Sequence, residues 1–328
     1  MPLSATDVTR MRDQLFFEGP DLDRRLTRFW LLLPLAAVIA TAGVVADSTA
    51  TVIGAMIVAP LMVPILGTVL AVVLADRPNL VRSLLLLASG IAVVVAIGWL
   101  IGLSVDTPIV ADTNSQVAAR VSPRLIDLIA ALATGAVGSI ALAREDISDT
   151  LPGVAIAISL VPPLAVVGLT LEAGAGAEAF GAFLLFVTNV SAILAMGLLV
   201  MSIYRVRSLA APPTVGAKPV NRRRAAAAIV AGLVVVSIPL ATTSARIAST
   251  RSTESTANQV AEDWAERYGW TIVSVTTGPQ GVQIRATGTA PEPETETLRR
   301  NLIAAGLGDE DVSILLIPST TVVLTNPD

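Results

Sequence analysis

The residues best placed to do chemistry in this sequence are prolines inside apolar runs. Pro60 and Pro64 fall in one run and Pro162 and Pro163 in another. A proline has no backbone N–H, and its ring clashes with the carbonyl four residues earlier, so each pair frees backbone polar groups. In a bilayer such groups must be covered by protein or line a wet cavity. A helix broken there presents one N-terminus, suited to an anion, and one C-terminus, suited to a cation. The expected substrate-binding set is therefore Gly54, Pro60, Pro64, Ser159, Pro162, Pro163 and Asn189, with Thr134, Ser139 and Thr188 as further polar side chains at depth. Asn189 belongs to the set because an amide in lipid is costly unless paired. An interhelical hydrogen bond would satisfy it equally well. Asp47 and Asp127 are candidate ion or proton sites, since ionisable groups near a membrane interior are functional by default. Asp127 also reads as an interfacial partner of Arg124 or as a charge favourable to a helix start. Arg144, Glu145, Asp146 and Asp149 read as a solvated loop.

Other chemistries are excluded by composition. The chain has no histidine and no cysteine. That removes disulfides, thiolate or imidazole metal sites and a Ser-His-Asp triad. An all-oxygen site for a hard cation survives that exclusion, but no residue is assigned to one. No phosphate loop or dinucleotide fingerprint is present, so no catalytic residue, metal, cofactor or nucleic-acid partner is expected. The sole lysine, Lys218, reflects a bias toward arginine.

The elements that must carry these residues are membrane spans. Of 328 residues, 53% are hydrophobic and only 15% charged, against roughly 25% charged in a soluble domain. About seven runs approach the ~20 apolar residues a span needs: 29–46, 49–75, 83–103, 125–143, 151–170, 179–204 and 225–245. Only Asp47 and Ser48 separate the first two, which leaves a re-entrant second segment as the alternative. Met1–Arg28, charged from Asp7 onward, reads as a cytoplasmic lead-in broken near Gly19 and Pro20, not as a signal peptide.

Orientation follows from the basic residues. With the N-terminus inside, the inner segments hold Arg10, Arg12, Arg24, Arg25, Arg28, Arg77, Arg82, Arg144, Arg205, Arg207, Lys218 and Arg222–Arg224. The short outer loops hold only Arg120 and Arg124. At a constant offset Gly54 meets Gly153, Ile57 meets Ile156, Leu61 meets Leu160 and Pro64 meets Pro163. The halves 29–103 and 125–204 then form an inverted repeat of three plus three spans. In transporters, interrupted spans at matching places in two halves point to the binding site. Small residues at Ala131, Gly135, Ser139 and Ala143, and at Gly98 and Gly102, predict close helix contacts or oligomer interfaces.

Past 250 the pattern changes. Ala257, Ala261, Trp264 and Tyr268 are helically spaced. Strands are expected at 270–277 and 282–289 around a hairpin at Gly278–Gly281, then a helix at 294–305 and a last strand at 312–316 and 321–324, interrupted near Pro318. The fold class is thus an α-helical polytopic membrane protein of about seven spans, with a C-terminal α/β domain, 250–328, outside the membrane.

Leu15–Gly19, Arg28–Trp30, Ile39–Gly43 and above all Val52–Ile65, with its Ile-Gly-Ala-Met-x-x-Ala-Pro-Leu-Met-x-Pro core, carry a resemblance. They resemble the bacterial family of hydrophobic membrane proteins called domain of unknown function 389, as does Val161–Leu164. The resemblance covers roughly residues 10–205 and implies architecture, not a substrate. The seventh span and outer domain fall outside it.

The function expected is a transporter or channel for a small solute, an anion or neutral molecule being favoured because no acidic residue sits at the breaks. It would act in a bacterial inner membrane, as a homo-oligomer among lipids, and not as an enzyme. The alternative is a non-transporting scaffold or sensor whose outer domain binds a partner. An intramembrane lipid enzyme would want a paired nucleophile and base, and none is visible at depth.

Overall fold

The computed structural model describes residues 4–144, 160–209, 221–278, 281–289 and 291–319. The chain divides into two compact units, Met1–Thr243 and Ser244–Asp328. Two helices precede the first break: α1 (Ala5–Leu15) and α2 (Leu22–Val45). Ser4 caps α1, accepting from the Asp7 N–H while the Asp7 carboxylate accepts from the Ser4 N–H, and Val8, Met11 and Leu15 form its buried stripe. Between α1 and α2, Gly19 takes a left-handed φ of 78°, so the turn expected at Gly19 and Pro20 is present. The α2 helix starts seven residues earlier than the apolar run, because its first two turns carry the charged residues that reach the bundle end.

The run 49–75 is not one straight helix. It splits into α3 (Thr49–Val58) and α4 (Met62–Leu74), bent by 45° at the break. Pro60 cannot donate to the carbonyl four residues back, and Ala59 is extended. Next come α5 (Arg77–Gly102), the short α6 (Ser115–Val121) and α7 (Leu125–Ala143). Beyond the undescribed stretch lie α8 (Val161–Glu172), α9 (Gly176–Ile203) and the single turn α10 (Val206–Leu209). Of the expected fifth span only α8 is described. Gly153, Ile156, Ser159, Glu145, Asp146 and Asp149 lie outside the described residues, as do Lys218 and the strand expected at 321–324.

Among the described residues, five helices are long and apolar enough to cross a membrane: α2, α5, α7, α9 and the stretch Arg223–Thr242. Counting the bent α3–α4 pair as one span makes six. Apolar side chains cover their outer faces, including Leu31, Leu35, Ile53, Ile57, Leu85, Leu100, Ile129 and Phe180. Such a surface suits lipid, whereas in water it would be an extensive unpaid hydrophobic exposure.

The sequence pattern separates a seventh span, 225–245, from a later helix. The structure joins them in one helix, α11 (Arg222–Arg267). The reason is local: between Pro239 and Gly269 the sequence has no glycine or proline to stop a helix.

In the second unit, the end of α11 is followed by β1 (Trp270–Gly278), β2 (Gly281–Gly288), α12 (Thr295–Ala304) and β3 (Val312–Pro318). β1 and β2 pair antiparallel, with Gly278 opposite Gly281, and β3 joins β2 in parallel, giving the order β1-β2-β3. Residues 279–280 of the expected hairpin lie outside the described residues. Trp264, Ala261, Ile284, Ala286, Leu298 and Leu302 form the core, and the Trp264 indole N–H donates to the Glu294 carbonyl at 3.0 Å.

Candidate functional site

Close helix contacts show at what depth the breaks lie. A Cβ placed on Gly90, midway along α5, would sit 3.1 Å from a Leu61 methyl. One on Gly67 would sit 2.8 Å from Ser83 Oγ. So α4 starts level with the middle of α5 and runs antiparallel to it, toward the N-terminal end of α5. On α8, Gly168 packs against Gly98, and a Cβ on Gly102 would lie 3.0 Å from Glu172. α8 therefore runs parallel to α5, and the same offset carried back to Leu160 lands at Gly90. Both short helices begin at the same depth and run away from it in opposite directions.

α9 places an amide at that level. A Cβ on Gly197 would sit 2.9 Å from a Val69 methyl. α9 ends beside α10, at the bundle end where α4 also ends, so the two run parallel. Counting back from that pair sets Asn189 level with Leu61. Asn189 is 3% exposed and has an interaction partner. Gly135 and Ser139 of α7 pack on α9: a Cβ on Gly135 would lie 2.8 Å from Ile193 Cα, and one on Gly197 3.3 Å from Ser139 Oγ. The Ser139 hydroxyl is buried without a hydrogen-bond partner.

Both short helices are buried almost throughout. Val161 to Thr170 are all buried, as are Pro64 to Val73. Neither N-terminal residue, Leu61 or Leu160, provides a side-chain cap. A helix start leaves its first N–H groups unbonded. Pro162 and Pro163 remove two of those donors in α8, and Pro64 removes one in α4. The prolines thus let a helix begin with fewer N–H groups to satisfy, and in α4 the Val63 N–H donates to the Pro60 carbonyl at 3.2 Å. At the α3 side of the break Ala59 is extended, with ψ 125°, so α3 ends there. Gly54 has nothing within 4 Å of its Cβ position and sits on the poorly buried α3, away from the α4 and α8 starts. Of the expected set, Pro64, Pro162, Pro163 and Asn189 are buried, Pro60 forms the break, and Ser159 is undescribed.

A cavity of about 280 Å³ adjoins the break, walled by Ile57, Val58, Ala59, Pro60 and Val63 on one side. Gln14, Phe16 and Phe17 after α1, and Arg25, Arg28, Phe29 and Leu32 of α2, form the other. The sequence reading missed this cavity, because the N-terminal segment looks like a plain solvated lead-in. The signal was present in Leu15–Phe17, three apolar residues that are too hydrophobic for a solvated linker.

Polar clusters tie the two bundle ends. At the first, Arg12 pairs with Glu18 at 3.0 Å and with Asp76 at 3.5 Å. The Asn79 amide donates to Glu18 at 2.7 Å and to Asp76 at 3.0 Å. Arg25 donates to the Phe16 carbonyl at 2.8 Å, and Arg82 donates to the Phe17 carbonyl. Arg10 reaches the Ala143 carbonyl at the end of α7 at 3.4 Å.

At the other end, Asp47 takes a φ of 50° in the α2–α3 turn. Its Oδ1 accepts from the Ser115 hydroxyl at 2.7 Å and the Gln116 N–H at 3.0 Å. These bonds, led by the Ser115 hydroxyl, hold its pKa below the usual 3.8 against some desolvation. Asn114 donates to the Val44 carbonyl at 2.7 Å, and Glu178 accepts from the Ala111 N–H at 2.9 Å. Asp47 is thus engaged as the clasp of the 103–124 loop. Asp127 caps its own helix, accepting from the Arg124 N–H at 2.7 Å, and its carboxylate lies 3.6 Å from Arg124 Nε. Neither aspartate lies at the depth of Leu61 and Leu160. No cluster of acidic side chains able to hold a metal occurs among the described residues.

Residues 56–195 match the family model described as domain of unknown function (DUF389). The match begins just before the break and ends just after Asn189, so it spans both short helices. The chain is 32% identical over 200 residues to an uncharacterized protein of Methanocaldococcus jannaschii, an alignment covering 60% of each protein. It thus spans about 60% of the length of that curated relative. The relative is archaeal, so the similarity is not confined to bacteria. No solved structure matches the chain.

Proposed function

We propose that this chain, which carries the domain of unknown function 389 over residues 56–195, is a membrane transporter or channel for a small anion or neutral solute. The observation that carries the reading is the shared depth of two helix starts, Leu61 and Leu160, level with Gly90 and Asn189. Helix N-termini stabilise negative charge, and paired broken helices at mid-depth are the site architecture of many transporters. Anions and neutral solutes are favoured because no described carboxylate reaches that depth.

The inverted repeat of 29–103 and 125–204 belongs to this proposal. It is supported by reciprocal packing: α4 lies on α5 and α9, and α8 likewise lies on α9 and α5. The topology is seven spans, with α8 and the preceding stretch as the fifth and the first part of α11 as the seventh. The N-terminus is placed in the cytoplasm of a cell membrane. Arg10, Arg12, Arg25, Arg77, Arg82, Arg144 and Arg205 gather at one bundle end, and Arg120 and Arg124 at the other, which supports that orientation. On it the second unit is extracytoplasmic. Homo-oligomerisation is part of the same reading.

Uptake by proteoliposomes, screened across small anions and neutral solutes, tests the function. Asn189→Leu should lower uptake at least tenfold with the folded yield unchanged. Full uptake by Asn189→Leu would remove the mid-depth site. A scaffold or sensor is the second reading, favoured by the separate C-terminal unit, whose β3 leaves Leu315 and Ile317 exposed on one face. In that case removal of 250–328 would abolish the cellular phenotype and no solute would be taken up.

A further inference from the structure

The cavity beside the break grades from basic to apolar. At one end Arg25 and Arg28 line it, and no carboxylate does. Arg25 is held in place by its bond to the Phe16 carbonyl at 2.8 Å, while Arg28 is exposed. At the other end the walls are Phe29, Leu32, Ile57 and Val63. Ile57 is 62% exposed and Val58 38% exposed on the outer apolar surface of α3, so the cavity meets the lipid-facing side of the bundle. From Arg25 to Leu32 is seven residues of helix, about 10 Å along the axis. That is the stretch over which a lipid passes from its phosphate into its acyl chain.

We propose that this cavity binds one anionic phospholipid, with its phosphate between Arg25 and Arg28 and an acyl chain laid along Phe29, Leu32 and Ile57 toward the break at Pro60. The inference rests on the chain spanning a bilayer, with the first turns of α2 at an interface, and not on the transport reading. Charge complementarity selects the occupant. Two guanidiniums without a facing carboxylate match a phosphodiester, and a basic side chain at an anionic membrane surface strengthens binding about fivefold. A soluble anion would use the arginines but leave the apolar walls unmatched. A bound lipid would join the N-terminal segment to the α3–α4 break, so the lipid composition of the membrane would bear on the geometry of the bend.

The test is native mass spectrometry of the full-length protein in detergent, titrated with phosphatidylglycerol. Expected are one tightly retained lipid and at least tenfold weaker retention of phosphatidylcholine with the same chains. Arg28→Gln should weaken phosphatidylglycerol about fivefold. Ile57→Trp, which narrows the sideways entrance, should weaken both lipids. Both positions are exposed, so an unchanged thermal midpoint and a single size-exclusion peak separate lost binding from lost folding. If one variant does not fold, the other decides. Equal retention of the two lipids, or phosphatidylglycerol affinity unaltered in the folded variants, would overturn the proposal. So would displacement of the lipid by glycerol phosphate at equal concentration, which would assign the arginines to a soluble anion.

Discussion

Replacing Gly168 by alanine should be among the most damaging single-methyl changes in the membrane unit. A Cβ there would meet the Val95 carbonyl oxygen, lie 2.6 Å from Trp99 N and 2.8 Å from Gly98 C. All three are backbone atoms of α5, so no rotamer change can relieve the overlap. Contact between such atoms is favourable only near 3.5 Å, so α8 and α5 must separate by about 0.7–1 Å. Separation loosens the contacts between Ala165 and Glu172 that run beside Gly98 and Gly102. Overpacking of this kind costs about 1–3 kcal/mol, and the rigid partners argue for the upper figure. For a unit of this size each kcal/mol is worth about 2–4 °C, so the apparent thermal midpoint should fall by about 6–12 °C. Gly54→Ala is the matched control. Its Cβ meets nothing within 4 Å, and the gain in helix propensity is about 1 kcal/mol, so its midpoint should hold or rise by a few degrees. Fluorescence-detected size exclusion after heating at fixed rate measures both. A Gly168→Ala protein within 1 °C of the parent, or a Gly54→Ala protein that falls as far, would refute the parallel α5–α8 packing and with it the depth assigned to Leu160.

Other consequences can be checked separately. Asp47→Asn keeps an acceptor and tolerates the left-handed φ, so uptake should persist. Asp47→Ala should open the 103–124 loop to hydrogen exchange, and a transport defect in Asp47→Asn would instead mark an ion site. Because hydrogen bonds lower the Asp47 pKa in the fold, its contribution is complete above the unfolded value near 3.9 and lost as pH falls through the lower folded value. Protection in that loop, with the intrinsic pH dependence of amide exchange divided out, should therefore be flat at neutral pH and fall only below about pH 4. Trp264→Ala removes a fully buried indole and should destabilise the second unit by about 3–5 kcal/mol. Tryptic cutting at Arg299 and Arg300 would report it, and unchanged protection would contradict the core described. Glu18→Gln weakens its pairing with Arg12 while leaving an acceptor for Asn79. It should cost under about 1 kcal/mol, read as a thermal shift of no more than a few degrees.

The sequence by itself determined the elements whose cause is local. Apolar run length fixed α7 at Leu125–Ala143, and period-two patterning with glycine turns placed β1, β2 and the start of β3. The prolines at 60 and 64 announced an interruption, because loss of an N–H is a property of the residue, and part of the same run lies within the family-model match. Small residues announced close contacts but not their partners. Only the tertiary structure paired Gly98 with Gly168 and Gly135 with Ile193, since which helix meets which is a long-range outcome of packing. It likewise decided that α4 and α8 start at one level, with Asn189 at that level on α9. It also bonded Asp47 to Ser115 and Gln116 across the 103–124 loop, and folded Gln14–Phe17 against Arg25 and Arg28 to form a cavity. A sequence specifies the backbone donors that a proline removes. The chain's own folding decides what faces the gap that remains.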